Sequence, residues 1–213
     1  MAQFSTARRD CAAHMLDQRI PSRRAIVKFL SRLHLTRARE EALIAAAPDR
    51  EVLRDHIFPQ VAAAGGRILL AGVRGYTADY PARVTTHGAE CWTIDYDPAA
   101  APHGVPGRHV TGDIGALPEL LPDVRFDAIF LTGLFGFGVY GYAAQTRVVD
   151  ACTTSLNGGG LLVIGWNDRR GHPGVIEELA MRGLAYAPLG DLPPRIWIDD
   201  SDYNFAFLRR TAH

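Results

Sequence analysis

Lysine and cysteine are both scarce in this sequence of 213 residues. Lys28 is the single lysine, so arginine carries almost all of the positive charge. The three cysteines, Cys11, Cys91 and Cys152, are widely spaced and form no CxxC pair, which gives no support to a disulfide framework or a zinc knuckle. We therefore expect a reducing, intracellular setting and place the protein in the cytoplasm.

The sequence also lacks a net charge and long apolar runs. Its 23 basic and 23 acidic side chains cancel, which argues against a surface that grips nucleic acid, because neutralising phosphates needs a basic excess. No apolar run approaches the roughly 20 residues of a membrane-spanning helix. Arg8, Arg9 and Asp10 stand where a signal peptide would need an apolar stretch. We expect neither a nucleic-acid nor a membrane partner.

The neutral total hides an uneven distribution of charge. Residues 1–40 carry 9 basic and 3 acidic side chains, a net charge of +6. Residues 41–213 carry 14 basic and 20 acidic side chains, a net charge of −6. This asymmetry predicts that the basic segment faces the acidic remainder, and that its deletion harms substrate recognition more than cofactor binding.

The first sixty residues are predicted to form helices, and we treat 1–60 as a helical N-terminal extension of a domain that covers 61–213. A helix predicted over residues 49–63 contains Pro59, which should bend it. Segment 24–35 places four apolar side chains on one face at helical spacing: Ile26, Phe29, Leu30 and Leu33. That helix could cap a substrate site, form a homodimer through its apolar face or contact an anionic partner; a solvated helix is the structural alternative.

Short apolar runs alternate with amphipathic stretches from residue 65 onward. Strands are predicted at 67–72, 90–97, 108–113, 126–133 and 160–166, with helices near 77–87, 115–121, 141–155 and 173–182. Strands joined by helices indicate right-handed βαβ units and a mostly parallel sheet. Three further short strands, at 184–188, 195–198 and 203–209, fit a hairpin that closes one edge of the sheet.

The residues that follow the strands are the informative ones, because ligands of open α/β sheets bind beyond the carboxyl ends of the strands. Gly72 and Gly75 allow a tight turn that a ligand can approach closely, or else a turn that simply enters a helix. Asp95 follows the second strand, roughly 20 residues beyond that turn, where it could accept from ribose hydroxyls or lie in a solvated turn. Asp113 and Ile114 follow the third, where they could contact an exocyclic amine and an adenine ring.

This ordered set resembles the class I S-adenosylmethionine (SAM) methyltransferases, and the segments FDAIFLTG (126–133) and LNGGGLLVIGW (156–166) are the most specific part. The resemblance covers about residues 60–210. It implies an α/β three-layer sandwich with a mostly parallel, seven-stranded Rossmann-like sheet and an antiparallel last strand. It implies SAM as the cofactor, with Ala71, Gly72, Val73 and Gly75 along its methionine part, Asp95 on the ribose, Tyr96 beside the adenine, Asp113 and Ile114 at the adenine amine and ring, and Thr132 and Gly133 at the methionine end.

The glycine turn departs from the family pattern at two positions. The family often has an acidic residue inside the first strand, where Leu70 stands here. The central glycine of the family's turn is Arg74 in this chain. The side chain of Arg74 must swing away from the cofactor, or it blocks the site.

The substrate side is predicted in the loops after the fourth and fifth strands. Residues 133–142 combine glycines with aromatics and could cover an organic substrate, or serve as a connector whose aromatics pack. Residues 166–172 offer amide, carboxylate, guanidinium and imidazole groups, or form a polar loop that caps the next helix. The candidate catalytic residues are Tyr140, Asp168 and His172, and the candidate substrate contacts are Phe135, Phe137, Tyr142, Asn167 and Arg169. No metal site is predicted, because the histidines show no ligand spacing.

Three functions fit this pattern. The first is a SAM-dependent methyltransferase that acts on a small molecule by in-line methyl transfer. The second is a non-catalytic or repurposed protein of the same fold, motivated by Leu70 and Arg74. The third is an NAD(P)-dependent oxidoreductase. The incomplete glycine fingerprint disfavours it, and Lys28, the single lysine, forms no Tyr-x-x-x-Lys pair.

Overall fold

The structure is a computed structural model that describes residues 36, 38–86, 88–170, 174–198 and 201–211. The predicted helix over 24–35 and the candidate base His172 lie outside the described residues. The chain divides into two compact units, residues 1–40 and 41–213, and the description below concerns the second. Among the helices described, none has the length and apolar character needed to cross a bilayer.

A mixed sheet forms the centre of the second unit. Its strands are β1 (Arg67–Ala71), β2 (Glu90–Asp95), β3 (His109–Thr111), β4 (Phe126–Thr132), β5 (Leu156–Asn167), β6 (Leu184–Tyr186), β7 (Arg195–Trp197) and β8 (Tyr203–Arg210). Their order is β3-β2-β1-β4-β5-β8-β6, with β7 also paired to β8. Strands β1 to β5 are parallel, and β8 runs antiparallel to β5. The predicted Rossmann-like α/β fold is confirmed.

The described sheet has one strand more than the seven that the family resemblance implies, because a single edge position is divided between two short strands. β6 pairs with residues 208–210 of β8, whereas β7 pairs with residues 204–206 of the same strand. Pro193 and Pro194 lie between β6 and β7. Proline has no N–H to give to a ladder, so an edge strand that meets two prolines is interrupted.

Helices precede and connect these strands. From residue 48 onward they are α1 (Pro48–Val52), α2 (Phe58–Ala64), α3 (Tyr80–Val84), α4 (Leu117–Leu120) and α5 (Tyr142–Ser155), with a π-helical segment at Leu53–Ile57 and 3-10 turns at Gly75–Thr77, Pro98–His103, Ile114–Ala116, Asp168–Arg170 and Gly174–Arg182. The irregularity expected at Pro59 takes the form of the π-helical segment, which ends two residues before that proline. Proline cannot donate to the carbonyl four residues earlier and crowds it, which accounts for the wider turn there.

The core lies on both faces of the sheet, since the parallel strands are apolar on each side. Leu69 and Leu131 point into a cluster that includes Val148 of α5. Ile68 and Phe130 point the opposite way, into a second cluster with the side chains of residues 53–61. Alternation along the strands therefore creates the three layers, and residues 48–64 pack as part of one outer layer.

Candidate functional site

A cavity of about 430 Å³ lies at the carboxyl ends of β1, β2, β3 and β4. Eight of the ten residues predicted to contact a cofactor line it: Ala71, Gly72, Asp95, Tyr96, Asp113, Ile114, Thr132 and Gly133. The strand order places these four chain segments side by side, although they are far apart in the sequence. Val73 and Gly75 belong to the turn beneath the cavity but are not among its lining residues. The volume falls within the range of small-molecule sites.

The glycine turn after β1 depends on the backbone conformation of Gly72. Its φ is 83°, a region that residues with a Cβ avoid. A Cβ added at Gly72 would approach Leu134 Cδ1 at 3.4 Å, an ordinary contact, so conformation rather than space requires the glycine. Arg74, by contrast, has an extended backbone that any residue can adopt, with its N–H donating to Thr77 Oγ1 at 2.9 Å.

Asp95 is the most constrained acidic residue of the site. Its Oδ2 accepts from the backbone N–H of Val73 at 2.9 Å and from Arg74 Nη1 at 2.6 Å. Its Oδ1 accepts from the backbone N–H of Asp97 at 2.9 Å. A carboxylate offers about four acceptor positions, so these three donors leave one available to a ligand.

The structure shows where the side chain of Arg74 lies relative to the glycine turn. Its guanidinium turns back onto Asp95 and also donates to the carbonyl oxygen of Val73 at 2.6 Å. The side chain thereby lies along the edge of the cavity that it helps to line. Arg74 therefore occupies one acceptor position of Asp95.

Asp113 also pairs with an arginine. Its Oδ1 accepts from the backbone N–H of Gly115 at 2.8 Å, and its Oδ2 accepts from Arg147 Nη2 at 2.7 Å. Burial raises the pKa of Asp113, but the hydrogen bonds from Arg147 and Gly115 outweigh this effect and hold the pKa below its usual value. Arg147 belongs to α5 and lines the cavity. This pairing could not be predicted from the sequence, because the two side chains meet only once α5 packs on the sheet.

A buried arginine that sequence reasoning missed forms another part of the wall. Arg50 of α1 lines the cavity and is 8% exposed. Its guanidinium carbon lies 5.6 Å from the ring centre of Tyr76 and 5.7 Å from that of Tyr203, and its Nε lies 3.2 Å from Asp49 Oδ2. Burial lowers the pKa of Arg50, but the surrounding tyrosines and Asp49 outweigh this effect and raise it, so Arg50 remains a cation.

Tyr80 and Tyr203, two tyrosines that interact with Arg50, are neutral phenols. Tyr80 lines the cavity, and burial raises its pKa more than the neighbouring Arg50 lowers it. Burial likewise raises the pKa of Tyr203. Neither phenol is suited to act as a general base at neutral pH.

The loop after β4 brings one of its predicted substrate residues to the cavity. Phe137 lines the cavity, next to Gly138, at which an added Cβ would lie 3.7 Å from Tyr96. Phe135 is fully buried in the core and anchors the loop instead. Tyr140 is 67% exposed, and the hydroxyl of Tyr142 donates to Glu178; neither side chain lines the cavity.

The predicted polar residues after β5 are held by neighbouring side chains of β5, of β8 and of the segment that precedes β8. Asp168 accepts from Trp166 Nε1 at 2.8 Å and from Asn204 Nδ2 at 2.9 Å. Arg169 pairs with Asp202, at 3.2 Å between Nε and Oδ2. Asn167 ends β5 opposite Tyr203. None of these three predicted residues lines the cavity.

The cysteines of the described chain are structural. Cys91 and Cys152 are buried and unbridged. Burial raises the pKa of Cys91 to about 12 and raises that of Cys152 as well, so both stay as thiols. In the part of the chain that the structure covers, no group of three or more His, Cys, Asp or Glu side chains could hold a metal ion.

Solved structures of other proteins share this architecture. A TehB-like SAM-dependent methyltransferase from Corynebacterium glutamicum is 21% identical with a TM-score of 0.60, over 86% of this chain and 100% of that one. A SAM-dependent methyltransferase from Clostridium acetobutylicum is 10% identical with a TM-score of 0.61, over 84% and 99%. The N-methyltransferase NodS from Bradyrhizobium japonicum, in complex with S-adenosylhomocysteine, is 16% identical with a TM-score of 0.52, over 82% and 98%.

Two other comparisons bear on this likeness. No family model matches the chain, and no curated protein matches it. The likeness is therefore one of structure at low identity, and it establishes the arrangement of the chain. The protein has the Rossmann-like fold of the SAM-dependent methyltransferases.

Proposed function

We propose that the protein is a SAM-dependent methyltransferase that acts on a small molecule in the cytoplasm. The observation that carries this proposal is the gathering of eight predicted cofactor residues around one cavity. Ligands of this class of sheet bind at that edge, beyond the carboxyl ends of the strands. Structural neighbours that are SAM-dependent methyltransferases support the same cofactor.

The residues present fit SAM at its nucleoside end. Asp95 keeps one acceptor position for a ribose hydroxyl, and its hydrogen bonds from Val73 and Asp97 fix the direction of its carboxylate. Asp113 is ionised and can accept from an exocyclic amine, beside the apolar side chain of Ile114. When bound, SAM supplies an electrophilic methyl group on a sulfonium.

The protein's own contribution is to place the two reactants. In-line displacement needs the acceptor atom opposite the sulfur, and holding that geometry is the main catalytic effect available. Gly72 lets the backbone approach the ligand, while Leu134 and Val139 contribute apolar side chains to the cavity wall. Phe137 is the predicted substrate residue best placed to contact an acceptor from the loop after β4.

A second candidate function rests on the pairing of Arg74 with Asp95. A protein of this fold that does not transfer methyl groups does not need Asp95 to bind a ribose. Arg74 can then occupy that carboxylate without loss of function. The remaining acceptor position of Asp95 and the conformation of Gly72 favour a cofactor site that is still able to bind SAM. The two functions differ in turnover rather than in fold.

Methyl transfer separates the two candidates directly. The full chain, incubated with SAM and the small-molecule fraction of a cell extract, should form S-adenosylhomocysteine faster than the same mixture with heat-inactivated protein. Nucleic acid and protein fractions of the same extract serve as parallel acceptors. SAM binding without S-adenosylhomocysteine formation in any fraction would favour the non-catalytic alternative.

A further inference from the structure

Arg50 is a buried cation in the wall of the cavity with few partners for its donors. It is 8% exposed, and its Nε forms an ion pair with Asp49 Oδ2 at 3.2 Å without the geometry of a hydrogen bond. Its close neighbours are the rings of Tyr76 and Tyr203 and the carboxylate of Asp49, which does not line the cavity. A guanidinium presents five N–H donors in a fixed fork, so donors remain beyond those that face Asp49 and the hydroxyl of Tyr80.

The other charges described in the cavity wall are already paired. Arg74 pairs with Asp95, and Arg147 pairs with Asp113. Arg50 differs from them because its carboxylate partner, Asp49, does not line the cavity. An anionic group of a ligand could therefore meet Arg50 without displacing a carboxylate of the cavity wall.

The contact between Arg50 and Gly133 shows which part of the cavity the guanidinium reaches. A Cβ at Gly133 would lie 3.3 Å from Arg50 Nη2. Gly133 directly follows β4, and its φ of 73° turns the chain away from the strand. The guanidinium therefore stands at the β4 side of the cavity, apart from the two carboxylates at the ends of β2 and β3.

We propose that Arg50 binds a carboxylate in this cavity. The planar fork of a guanidinium matches the two oxygens of a carboxylate, and such paired hydrogen bonds are strong where water is excluded. The rings of Tyr76 and Tyr203 lie against the guanidinium and limit its movement, so the fork is held ready. This inference rests on the proposed function, because it gives the same site a second recognition element.

The carboxylate could come from either of the two reactants. SAM carries one at its amino-acid end, and an acidic acceptor would carry another. An acceptor whose carboxylate is itself methylated needs no general base: an oxygen lone pair forms the bond to the methyl carbon, the carbon–sulfur bond breaks, and its electron pair stays on sulfur. No proton is released in that step.

Binding measurements on Arg50→Gln test the proposal and distinguish the two sources. The probes are S-adenosylhomocysteine, which has the amino-acid end, 5′-methylthioadenosine, which lacks it, and benzoate added to protein saturated with S-adenosylhomocysteine. If the cofactor supplies the carboxylate, Arg50→Gln weakens S-adenosylhomocysteine by roughly 10-fold to 100-fold and leaves 5′-methylthioadenosine unchanged. If the acceptor supplies it, both nucleosides bind as before and benzoate binding is lost.

Two further variants make the result specific. Arg50→Lys keeps the positive charge but loses the planar fork, so it should lose less binding affinity than Arg50→Gln. It also replaces Arg50→Gln in the test if that variant does not fold. Arg147→Gln is the matched control from the same cavity, and it should change the affinities for both nucleosides by the same factor.

Two distinguishable outcomes would overturn the inference, one by itself and one together with the proposed function. Arg50→Gln with unchanged affinity for both nucleosides, and with benzoate binding either unchanged or absent from the wild type, shows that Arg50 binds no carboxylate. A wild-type protein that binds neither nucleoside removes the proposed function and this inference together.

Discussion

The guanidinium of Arg74 lies 2.6 Å from the carboxylate of Asp95, where the second strand of the sheet ends. The pair joins the residue that departs from the family's glycine turn to the acidic residue predicted to hold the ribose. The carboxylate is almost fully buried, whereas the arginine side chain is 38% exposed. The ion pair turns the side chain of Arg74 back onto Asp95, and Asp95 loses one acceptor position to it.

Arg74→Gln should tighten cofactor binding. The substitution frees one oxygen position of Asp95, and the extended backbone at residue 74 accepts glutamine without strain. A partly exposed ion pair contributes at most about 1 kcal/mol, so we expect an S-adenosylhomocysteine Kd a few-fold lower, measured by calorimetry. Weaker binding would mean that Arg74 contacts the ligand instead of competing with it.

Asp95→Ala should weaken SAM binding by roughly 1–3 kcal/mol through the loss of charged hydrogen bonds. The same change removes the acceptor for the N–H groups of Val73 and Asp97, so part of the loss comes from the glycine turn. Asp97→Ala is the matched control, since that side chain accepts from Ala99 N–H and does not line the cavity. Equal SAM affinities for wild type and Asp95→Ala would show that the ribose assignment is wrong.

Gly72→Ala should cost both stability and ligand affinity. An L-residue at a φ of 83° is strained by about 1–2 kcal/mol, and the strain falls on the turn that approaches the ligand. Gly107→Ala is a suitable comparison, because Gly107 has a φ of 74° and open space around it but lies outside the cavity wall. Thermal melts should show similar losses for the two variants, and titrations should show a loss of affinity for Gly72→Ala alone.

The buried thiols predict a loss of stability in alkali. Burial raises the pKa of Cys91 from 9.0 to about 12, so the folded state keeps a proton that the unfolded chain releases between these values. The contribution is complete below pH 9 and is lost as the pH rises toward 12, by about 1.4 kcal/mol for each pH unit. Denaturant unfolding of wild type and Cys91→Ala should diverge by about 2 kcal/mol on going from about pH 8 to about pH 10.5. If the unfolding free energies of wild type and Cys91→Ala changed in parallel with pH, the raised pKa of Cys91 would be contradicted.

The sequence was sufficient for the strands that carry the site. Segments around β1, β4 and β5 are unbroken apolar runs, which is typical of strands buried on both faces, and turn residues mark where each one ends. The edge of the sheet was harder to predict, because the pairing of β6 and β7 with one partner depends on how Pro193 and Pro194 meet β8.

The cavity wall was predictable only where it follows the strands. Asp95 ends β2 and Asp113 closely follows β3, so the pairing of these two parallel strands brings the two carboxylates to the same edge of the sheet. Arg50 and Arg147 lie on helices whose packing the sequence does not display, and each looks like an ordinary surface arginine in its own segment. Their neighbours in the cavity are set by tertiary contacts, which no local pattern encodes.

Calorimetric titration of the full chain with SAM, and with NADH in parallel, tests the central claim most directly. The account predicts saturable binding of SAM at a single site, weakened by Asp95→Ala, and no binding of NADH. Absence of SAM binding at high concentration by the folded protein would contradict it.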